Sequence, residues 1–329
     1  MKAVVFDELG SFADNLATLR LTDVPIPKLG DNDVLVRMVA ASINPGDFLF
    51  IQGLYPEPKK PTFPGQIAGN HGAGIIAGVG KNVEMKEGTF VHFNYFNTWA
   101  EYTVLPAEWV IPLPEDYPIE KASQFSNIVT AWDLLEQSKV QAGGWLAVTA
   151  GNSTLATLVS QLAAQRGVKV VSIVRNKYDH LDLRALGAVQ VLELSSLTTG
   201  VAEKLLEMTV GNGLNGAIDC VGGPLAGELV QSLALGGQLV IYGGFSESKF
   251  ELHNFDLLMK AAAISSYAYR YFFVPPKAEH MKLMAKIAEA SRGPELKIQV
   301  GGFHPLEDFQ TAVFKSLHDT DQGKRFIKM

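Results

Sequence analysis

Between residues 145 and 242, short apolar runs alternate with segments of helical periodicity, and this rhythm constrains the fold more than any other feature. Short apolar strands that each lead into a helix predict a parallel sheet covered by helices on both faces. The predicted strands cover 145–150, 168–174, 189–192, 216–220 and 237–242, with a sixth at 261–267. The predicted helices between them cover 152–166, 178–186, 201–210 and 224–235. Six such strands fit a doubly wound dinucleotide-binding fold.

The chain before about residue 118 has a different character. Apolar runs rich in β-branched residues, separated by Gly and Pro, occur at 2–6, 33–43, 72–79, 89–93 and 99–105, with a Pro-dense stretch at 56–64. This spacing is typical of an irregular antiparallel barrel or sandwich. The tail has helical patterns near 277–291 and 306–317 and a strand at 325–328, and we expect it to fold back onto the first domain. The predicted domains are therefore 1–118 with 270–329, and 119–269.

Composition excludes several classes of protein. The 329 residues are 47% hydrophobic and 19% charged, which rules out a disordered chain, and the net charge of −6 argues against nucleic acid or an anionic membrane as partner. The one cysteine, Cys220, allows no internal disulfide and no cysteine-cluster metal site. The uncharged stretch 140–165 is interrupted by Gly, Asn, Ser and Thr, so we interpret it as strand, turn and helix rather than a membrane span. The first residues lack a secretory pattern, and we expect a reducing, cytoplasmic location.

The turn after the first sheet strand is the expected site for a cofactor pyrophosphate, because glycines there let the backbone approach it. Residues 149–156 read TAGNSTLA and contain no GxGxxG, with Thr154 and Ala156 where glycines are expected. Small residues and hydroxyls are compatible with phosphate binding. A plain strand-to-helix turn is the alternative interpretation.

The end of the second strand favours NADPH. Residues 172–177 read SIVRNK, so Arg175 and Lys177 are present with no acid before Asp179. NAD enzymes place an acid here for the ribose 2′-hydroxyl, whereas cations suit the 2′-phosphate of NADP. A solvated arginine at a strand end is the alternative. Glycine pairs at 222–223 and 243–244 follow two further strands at the same carboxyl edge of the sheet, where ligands bind, although ordinary turns also use glycine.

Several segments together resemble the medium-chain dehydrogenase/reductase superfamily: SINPGDFLFIQGLY at 42–55, FPGQIAGNHGAG at 63–74, NIVTAW at 127–132, DCVGG at 219–223 and IYGG at 241–244. The resemblance runs over essentially the whole chain. It implies an α/β protein with a GroES-like irregular β-barrel catalytic domain plus a doubly wound Rossmann domain with a six-stranded parallel sheet. Zinc members have Cys and His where this chain has Asn44 and Asn70. The resemblance therefore implies a zinc-free member without a metal, in which these amides are buried hydrogen-bonding partners and His71 is structural.

Among zinc-free members, the chain most resembles NADPH-dependent trans-2-enoyl-thioester reductases of the mitochondrial enoyl-CoA reductase type. The INPxD and IQGxY spacing, the Gly69-Asn70 pair, VRN at 174–176 and YGG at 242–244 carry this resemblance. It implies hydride transfer from NADPH to the activated C=C bond of an enoyl thioester or enone. Quinone oxidoreductases are the close alternative, and a non-catalytic nucleotide-binding or structural relative is a third. The resemblance also implies a homodimer, with 261–267 as the candidate edge strand.

The site residues follow from the same resemblance. Tyr55 resembles the tyrosine beside the substrate, and a phenol, which ordinarily ionises only at about pH 10, suits donation to an enolate oxygen or to Cα. Asn127 and Thr130 resemble residues near the nicotinamide and complete the predicted catalytic set. Ala268 stands where enoyl reductases tend to have Trp. The predicted cofactor contacts are Asn127, Ser153, Thr154, Leu155, Ala156, Thr157, Arg175, Asn176, Lys177, Tyr242, Gly243, Gly244, Phe245, Tyr267, Tyr269 and Lys324.

Overall fold

The computed structural model describes residues 1–12 and 16–329, which form two compact units. One unit comprises Met1–Ser126, Arg270–Gly293 and Ile298–Met329, and the other comprises Asn127–Tyr269 and Pro294–Lys297. The sequence placed the first division after residue 118, whereas in the structure it falls after Ser126. The reason is the short helix Ile119–Ser123, which packs on strands of the first unit and whose Ser123 carbonyl oxygen accepts a hydrogen bond from Ser42 Oγ at 2.8 Å.

The regular elements are sixteen strands and nine α-helices within the described residues. The strands are β1 (Lys2–Phe6), β2 (Arg20–Asp23), β3 (Asp33–Ser42), β4 (Gln66–Ile67), β5 (His71–Val79), β6 (Phe90–Asn94), β7 (Tyr102–Pro106), β8 (Ile111–Pro112), β9 (Trp145–Val148), β10 (Lys169–Val174), β11 (Ala188–Glu193), β12 (Leu214–Asp219), β13 (Leu233–Ile241), β14 (Ala263–Ser266), β15 (Val300–Pro305) and β16 (Lys324–Lys328). The helices are α1 (Pro45–Ile51), α2 (Ile119–Ser123), α3 (Phe125–Ser138), α4 (Thr154–Gln165), α5 (Val201–Met208), α6 (Pro224–Gln231), α7 (Asn254–Leu258), α8 (Met281–Arg292) and α9 (Phe309–His318).

The second unit contains one parallel sheet with the strand order β11-β10-β9-β12-β13-β14. This confirms the six predicted parallel strands. Counted from β9, the order is 3-2-1-4-5-6, which is that of a dinucleotide-binding fold and reverses between β9 and β12. Buried apolar side chains such as Ala147, Val171 and Leu239 form its core. A ligand of such a sheet binds at the carboxyl ends of the strands beside the reversal.

One predicted helix of this unit is wrong. Residues 178–186 form turns, although Leu183 and Leu186 are buried as a helix would have them. Asp182 Oδ1 accepts the backbone N–H groups of Arg184 at 3.0 Å and Ala185 at 3.1 Å. Such local bonds compete with helical ones and favour turns.

The stretch 140–165 forms β9, a turn and α4, as interpreted, and no helix of the described chain is long and apolar enough to cross a membrane.

The first unit is rich in β-structure, as predicted. A three-stranded sheet has the order β2-β1-β4, and a larger sheet has the order β15-β16-β3-β5-β6-β8, with β7 also paired to β3. The neighbours are antiparallel apart from β15 and β16. The tail returns to this unit, because β16 pairs with β3 through Phe326 opposite Ser42. A core that includes Phe6, Phe50, Trp99 and Ile327 joins the early and late segments.

Candidate active site

The turn between β9 and α4 leaves backbone donors unpaired at the carboxyl edge of the sheet. Ser153 caps α4 by accepting the Ala156 N–H on Oγ at 3.2 Å. Within the described part of the chain, the N–H groups of Thr154 and Leu155 have no hydrogen-bond acceptor. Free N–H groups at a helix start, reinforced by the helix dipole, are suited to a phosphate. The predicted pyrophosphate segment, which ends at Thr157, therefore has the right local geometry without the usual glycines.

Gly151 and Asn152 join this turn to the next strand and loop. A Cβ on Gly151 would lie 2.1 Å from Ser172 Oγ, so only glycine allows the turn to pack this closely against β10. Asn152 donates from Nδ2 to the Asn176 carbonyl oxygen at 2.9 Å. Its Oδ1 is buried and has no hydrogen-bond partner among the residues described. The sequence indicated the turn but not this link between the predicted pyrophosphate and 2′-phosphate segments.

The loop after β10 is exposed at Arg175, Asn176 and Lys177, but its two cations have different surroundings. Lys177 is held by Glu193: its backbone N–H donates to Oε1 at 2.8 Å, and its Nζ lies 3.8 Å from Oε2. Arg175 forms no ion pair with any described residue. Arg175 is therefore the cation most available to a 2′-phosphate. The sequence analysis did not identify Glu193. The feature that could have indicated it is an acidic residue at the last position of β11, the strand beside β10.

Residues predicted to border the nicotinamide meet at α3 and at the ends of β13 and β14. The Tyr242 hydroxyl hydrogen-bonds to Thr130, and its removal from water raises the pKa of Tyr242 to about 12. The Tyr267 hydroxyl donates to Asp133 Oδ2 at 2.7 Å, and the Tyr267 and Tyr242 ring centroids are 6.1 Å apart. The structure thus brings together Thr130, Tyr242 and Tyr267. Asp133, three residues after Thr130 on α3, was missed, although helical periodicity places it on the same face.

The other predicted site residues of this part of the second unit lie on α3 and on the segments that follow β13 and β14. Asn127 lies one helical turn before Thr130, Tyr269 is the last residue before the chain returns to the first unit, and Phe245 is exposed. A Cβ on Gly243 would lie 2.2 Å from the Cys220 carbonyl oxygen, so β13 leaves the sheet in close contact with the segment after β12. Gly244 has open space around it. Gly243 and Gly244 thus follow the carboxyl end of β13, beside the segment that follows β12.

In the first unit, both amides at the zinc-ligand positions are buried, and Asn44 forms the expected hydrogen bonds. The Asn70 side chain instead makes one long bond, from Nδ2 to the Gly46 carbonyl oxygen at 3.4 Å, and its Oδ1 has no partner among the described residues. Asn44 Oδ1 accepts from Gln124 Nε2 at 3.0 Å and from Lys324 Nζ at 3.1 Å, and Asn44 Nδ2 donates to Ser42 Oγ at 3.0 Å. Lys324 Nζ also donates to the Ile43 carbonyl oxygen at 3.0 Å, and burial lowers the pKa of Lys324 to about 8. The predicted contact of Lys324 with a cofactor stays a prediction.

Asp47 is the buried acid of this network, and the sequence analysis did not single it out. Its Oδ2 accepts the Asn44 N–H and its Oδ1 the Asn70 N–H, both at 2.7 Å. Burial raises the pKa of Asp47 to about 7, although the two N–H groups and the nearby Lys324 act in the opposite direction. The signal in the sequence was a capping box: Asn44 precedes α1 and Asp47 is the third helical residue.

Tyr55 lies beside this network. A Cβ on Gly46 would be 2.5 Å from the Tyr55 hydroxyl oxygen, so that oxygen lies against the start of α1. The Tyr55 ring contacts Phe272 edge-on, with centroids 4.9 Å apart. Phe272 also contacts Lys59, a buried lysine of the Pro-dense stretch that sequence reasoning did not identify.

His71 lies at the start of β5 and is neutral. Burial holds the pKa of His71 well below its usual range, and His92, Lys59 and Lys324 add to this effect. Across the residues that the structure describes, no group of three or more His, Cys, Asp or Glu side chains is arranged to hold a metal ion. His71 is half-buried and uncharged, and its Nδ1 has no hydrogen-bond partner among the described residues, so a structural role for His71 stays a prediction.

Comparisons with known proteins agree with this architecture. The family models for the alcohol dehydrogenase GroES-like domain and for zinc-binding dehydrogenase match residues 30–115 and 154–288. The mitochondrial enoyl-[acyl-carrier-protein] reductase of Dictyostelium discoideum is 30% identical over 311 residues, covering 91% of this chain and 87% of that protein. Its Homo sapiens counterpart is 27% identical over 340 residues, covering 100% of this chain and 89% of that protein.

Solved structures have the same fold. A candidate NADPH:quinone reductase from Bacillus thuringiensis superposes with a TM-score of 0.85 at 27% identity, covering 100% of this chain and 98% of that one. The quinone oxidoreductase of Escherichia coli in complex with NADPH gives a TM-score of 0.86 at 20% identity, covering both chains fully. With amides at the zinc-ligand positions and these relatives along its whole length, the chain belongs to the medium-chain dehydrogenase/reductase superfamily as a zinc-free member.

Proposed function

We propose that this protein is an NADPH-dependent reductase that adds hydride to the activated C=C bond of a 2-enoyl thioester or enone. The observation that carries the proposal is the 27–30% identity to mitochondrial enoyl-[acyl-carrier-protein] reductases over at least 87% of their own length. Tyr55 supports it, because its hydroxyl oxygen lies against the start of α1, beside the buried network of Asn44 and Asp47.

The second unit fits NADPH. The free N–H groups at the start of α4 suit the pyrophosphate, and Gly151 lets the turn that carries them pack closely against β10. The Oδ1 of Asn152 is a buried acceptor without a partner in the described chain. Arg175 suits the 2′-phosphate through a charge-assisted contact. The reduced nicotinamide supplies the hydride when it is bound.

Side chains of the protein then have to stabilise the negative charge that develops on the substrate and supply a proton. Hydride addition at Cβ of an unsaturated carbonyl compound moves an electron pair toward the carbonyl oxygen. The product is an enolate whose oxygen carries the negative charge. The Tyr55 hydroxyl is the donor that would stabilise this oxygen or give its proton to Cα. Asp47 accepts the backbone N–H groups of Asn44 and Asn70, and the Asn44 side chain bonds to Ser42, Gln124 and Lys324. We therefore assign Asn44, Asp47 and Asn70 to holding the start of α1 in place rather than to the chemistry.

The test compares acceptors under the same conditions. NADPH oxidation by the purified protein is followed with a crotonyl thioester, an enone and a quinone, and NADPH binding is measured separately by fluorescence. We expect turnover with the thioester or enone to exceed that with the quinone. Binding without turnover on any acceptor would favour the non-catalytic alternative and contradict the proposal.

The second candidate is an NADPH:quinone oxidoreductase. It is favoured by the 27% identity to the Bacillus thuringiensis protein over essentially both chains. Reduced quinones can take their protons from water, so this activity has less need of Tyr55. Turnover confined to quinones would establish this reading in place of the first.

Assembly and location belong to the same proposal. We propose a homodimer formed through β14, which lies at the edge of the six-stranded sheet. Exposed apolar side chains flank this edge: Phe255 is 57% exposed, and Leu258 and Met259 are each 69% exposed. An uncovered edge with apolar neighbours is otherwise a liability. Light scattering should give twice the 35.7 kDa of one chain, and a monomer would exclude the dimer.

We also propose a reducing, cytoplasmic location, which imaging of the tagged protein would test.

A further inference from the structure

The first unit contains a lysine ammonium in surroundings that are unusual for a charge. Lys59 is 4% exposed, and its Nζ has no hydrogen-bond acceptor among the described residues. No carboxylate of the described chain forms an ion pair with it. Instead, Nζ lies 4.7 Å from the ring centroid of Phe272, 5.3 Å from that of Phe96 and 5.8 Å from that of Trp109. These distances are those of cation–π contacts.

A lysine in this position is costly for folding. A buried ammonium loses its hydration, and rings return only part of that energy. Burial lowers the pKa of Lys59 to about 8, which shows that the charged form is disfavoured, yet Lys59 remains mostly charged at neutral pH. Replacing a buried charge by an apolar side chain of similar volume is often neutral or stabilising. Packing alone therefore gives no reason for a lysine here.

The rings around Lys59 connect it to Tyr55. Phe272 contacts both the Lys59 ammonium and the Tyr55 ring, whose centroid lies 4.9 Å from that of Phe272. Lys59 follows Tyr55 by four residues, and its backbone N–H donates to the Pro56 carbonyl oxygen at 3.0 Å. The loop that carries Tyr55 is thus attached to the core through the head of Lys59.

We infer that Lys59 is a positioning residue for Tyr55: its caged ammonium fixes the tyrosine loop against Phe272 and supplies the positive charge that favours release of the phenol proton to the substrate. The inference rests on the proposed reduction of a 2-enoyl thioester. In that step the hydride that bound NADPH would supply forms the new bond at Cβ, while the C=C π bond breaks and its electron pair moves toward the carbonyl oxygen. The pair then forms the bond from Cα to the Tyr55 proton as the Tyr55 O–H bond breaks. The phenolate that remains is stabilised by the charge on Lys59 until water returns a proton.

The other titratable groups around the cage do not supply this charge. Tyr95, whose ring packs on Phe96 and Trp109, is neutral near pH 7 because burial raises its pKa, His71 is neutral as well, and Glu108 next to Trp109 is an exposed acid. Lys324 is hydrogen-bonded to Asn44 and is coupled to the buried Asp47. On the chain beside Phe272, the positive Arg270 lies over the Tyr271 ring rather than in the cage. Lys59 and Tyr55 both contact the Phe272 ring.

The experiment uses two substitutions in the full-length protein. Lys59→Met keeps length and apolar volume but removes the charge, and Lys59→Arg keeps a charge that does not titrate. Exposed Lys86→Met is the control. With a crotonyl thioester, we expect turnover to fall about tenfold in Lys59→Met and to stay within about threefold in Lys59→Arg. The NADPH dissociation constant and the melting temperature of Lys59→Met should be unchanged, or the melting temperature raised.

Two further readouts separate charge from packing. The turnover of the unmodified protein should decline above about pH 8 as Lys59 loses its proton, and Lys59→Arg should lack this decline. The pKa of Tyr55, obtained from tyrosinate absorbance against the matching Tyr55→Phe double variants, should be about one pH unit lower in Lys59→Arg than in Lys59→Met. This second measurement needs no turnover.

The outcomes distinguish the inference from the function on which it rests. An unmodified protein that turns over no enoyl compound contradicts the proposed function. An active protein whose Lys59→Met variant has unchanged turnover overturns the inference alone. Equal losses in both substitutions, with lowered melting temperatures and the same Tyr55 pKa, would show that Lys59 only packs, and would also overturn it.

Discussion

Glu193 holds Lys177 at two points: its Oε1 accepts the Lys177 backbone N–H at 2.8 Å, and its Oε2 lies 3.8 Å from the Lys177 ammonium. The sequence presents Arg175 and Lys177 as an equivalent pair of cations, but this relationship makes them different. Glu193 fixes the shape of the loop and offsets the charge of Lys177. Arg175, which has no such partner in the described chain, is left as the principal cation for a 2′-phosphate.

Glu193→Gln should strengthen NADPH binding. The amide oxygen can still accept the Lys177 N–H, so the loop keeps its shape, while the negative charge near the expected 2′-phosphate is removed. Exposed ion pairs are weak, so we expect the dissociation constant for NADPH to fall about two- to fivefold and that for NADH to stay the same. Fluorescence titration measures both, with exposed Glu203→Gln on α5 as the control. A weaker NADPH complex would show that Glu193 acts mainly by ordering the loop.

Arg175→Ala should weaken the binding of NADPH more than the binding of NADH. A charge-assisted contact to a phosphate contributes about 1.5–3 kcal/mol, which corresponds to about ten- to a hundredfold in the dissociation constant of NADPH. NADH lacks the 2′-phosphate and should change by less than about twofold. Lys169→Ala is the matched control, because it removes a cation from the opposite end of the same strand, β10. Equal affinity of the unmodified protein for NADH and NADPH would contradict the assignment.

His92→Gln should reduce the acid sensitivity of the fold. Burial lowers the pKa of His92 to about 3, and its Nε2 hydrogen-bonds with Ser126 Oγ at 2.5 Å. Below about pH 6.5 the His92 imidazole is protonated in the unfolded chain but stays neutral in the folded chain. The free energy of unfolding therefore falls on acidification from pH 7, by about 2 kcal/mol at pH 5.

The measurement for His92 is urea unfolding at pH 7 and pH 5, with exposed His318→Gln as the control. Asp47 has the opposite sign: its raised pKa lets the folded chain keep a proton that the unfolded one loses, so its contribution falls as pH rises from about 4 to 7. The comparison is therefore between variants rather than within one protein. The same pH dependence in His92→Gln and the unmodified protein would mean that His92 is protonated in the folded state.

Tyr55→Phe should lower turnover on an enoyl thioester by about 10²–10³, the usual contribution of one well-placed oxyanion donor. The substitution keeps the ring contact with Phe272 and removes only the hydroxyl. The effect should be in turnover rather than in substrate affinity, because the interaction strengthens as charge develops. NADPH affinity should not change, and with a quinone the loss should be smaller. Steady-state kinetics on both acceptors, with Tyr102→Phe on β7 as the control, measure this. Unaltered thioester turnover would remove Tyr55 from the mechanism.

Features that depend on local pattern could be predicted from the amino-acid sequence. The alternation of apolar runs and helices predicted the six parallel strands, and the residues at strand ends predicted which turns would reach a cofactor, because all carboxyl ends of parallel strands lie at one edge. The sequence also predicted correctly that Asn44 is a buried hydrogen-bonding residue, whereas the buried Oδ1 of Asn70 has no partner in the described chain. It failed at 178–186, where the side chain of Asp182 bonds to nearby backbone N–H groups and a turn replaces the helix.

Features that depend on contacts between distant residues became visible in the folded chain. Lys59 is caged by rings from residues 96, 109 and 272, Asp47 accepts the N–H groups of Asn44 and Asn70, and Lys177 meets an acid from the neighbouring strand. In the sequence these are an ordinary lysine in a proline-rich loop, a helix-start acid and a basic strand end. Burial and the identity of the neighbours set the charge state and availability of each group, and both arise only when the chain is folded.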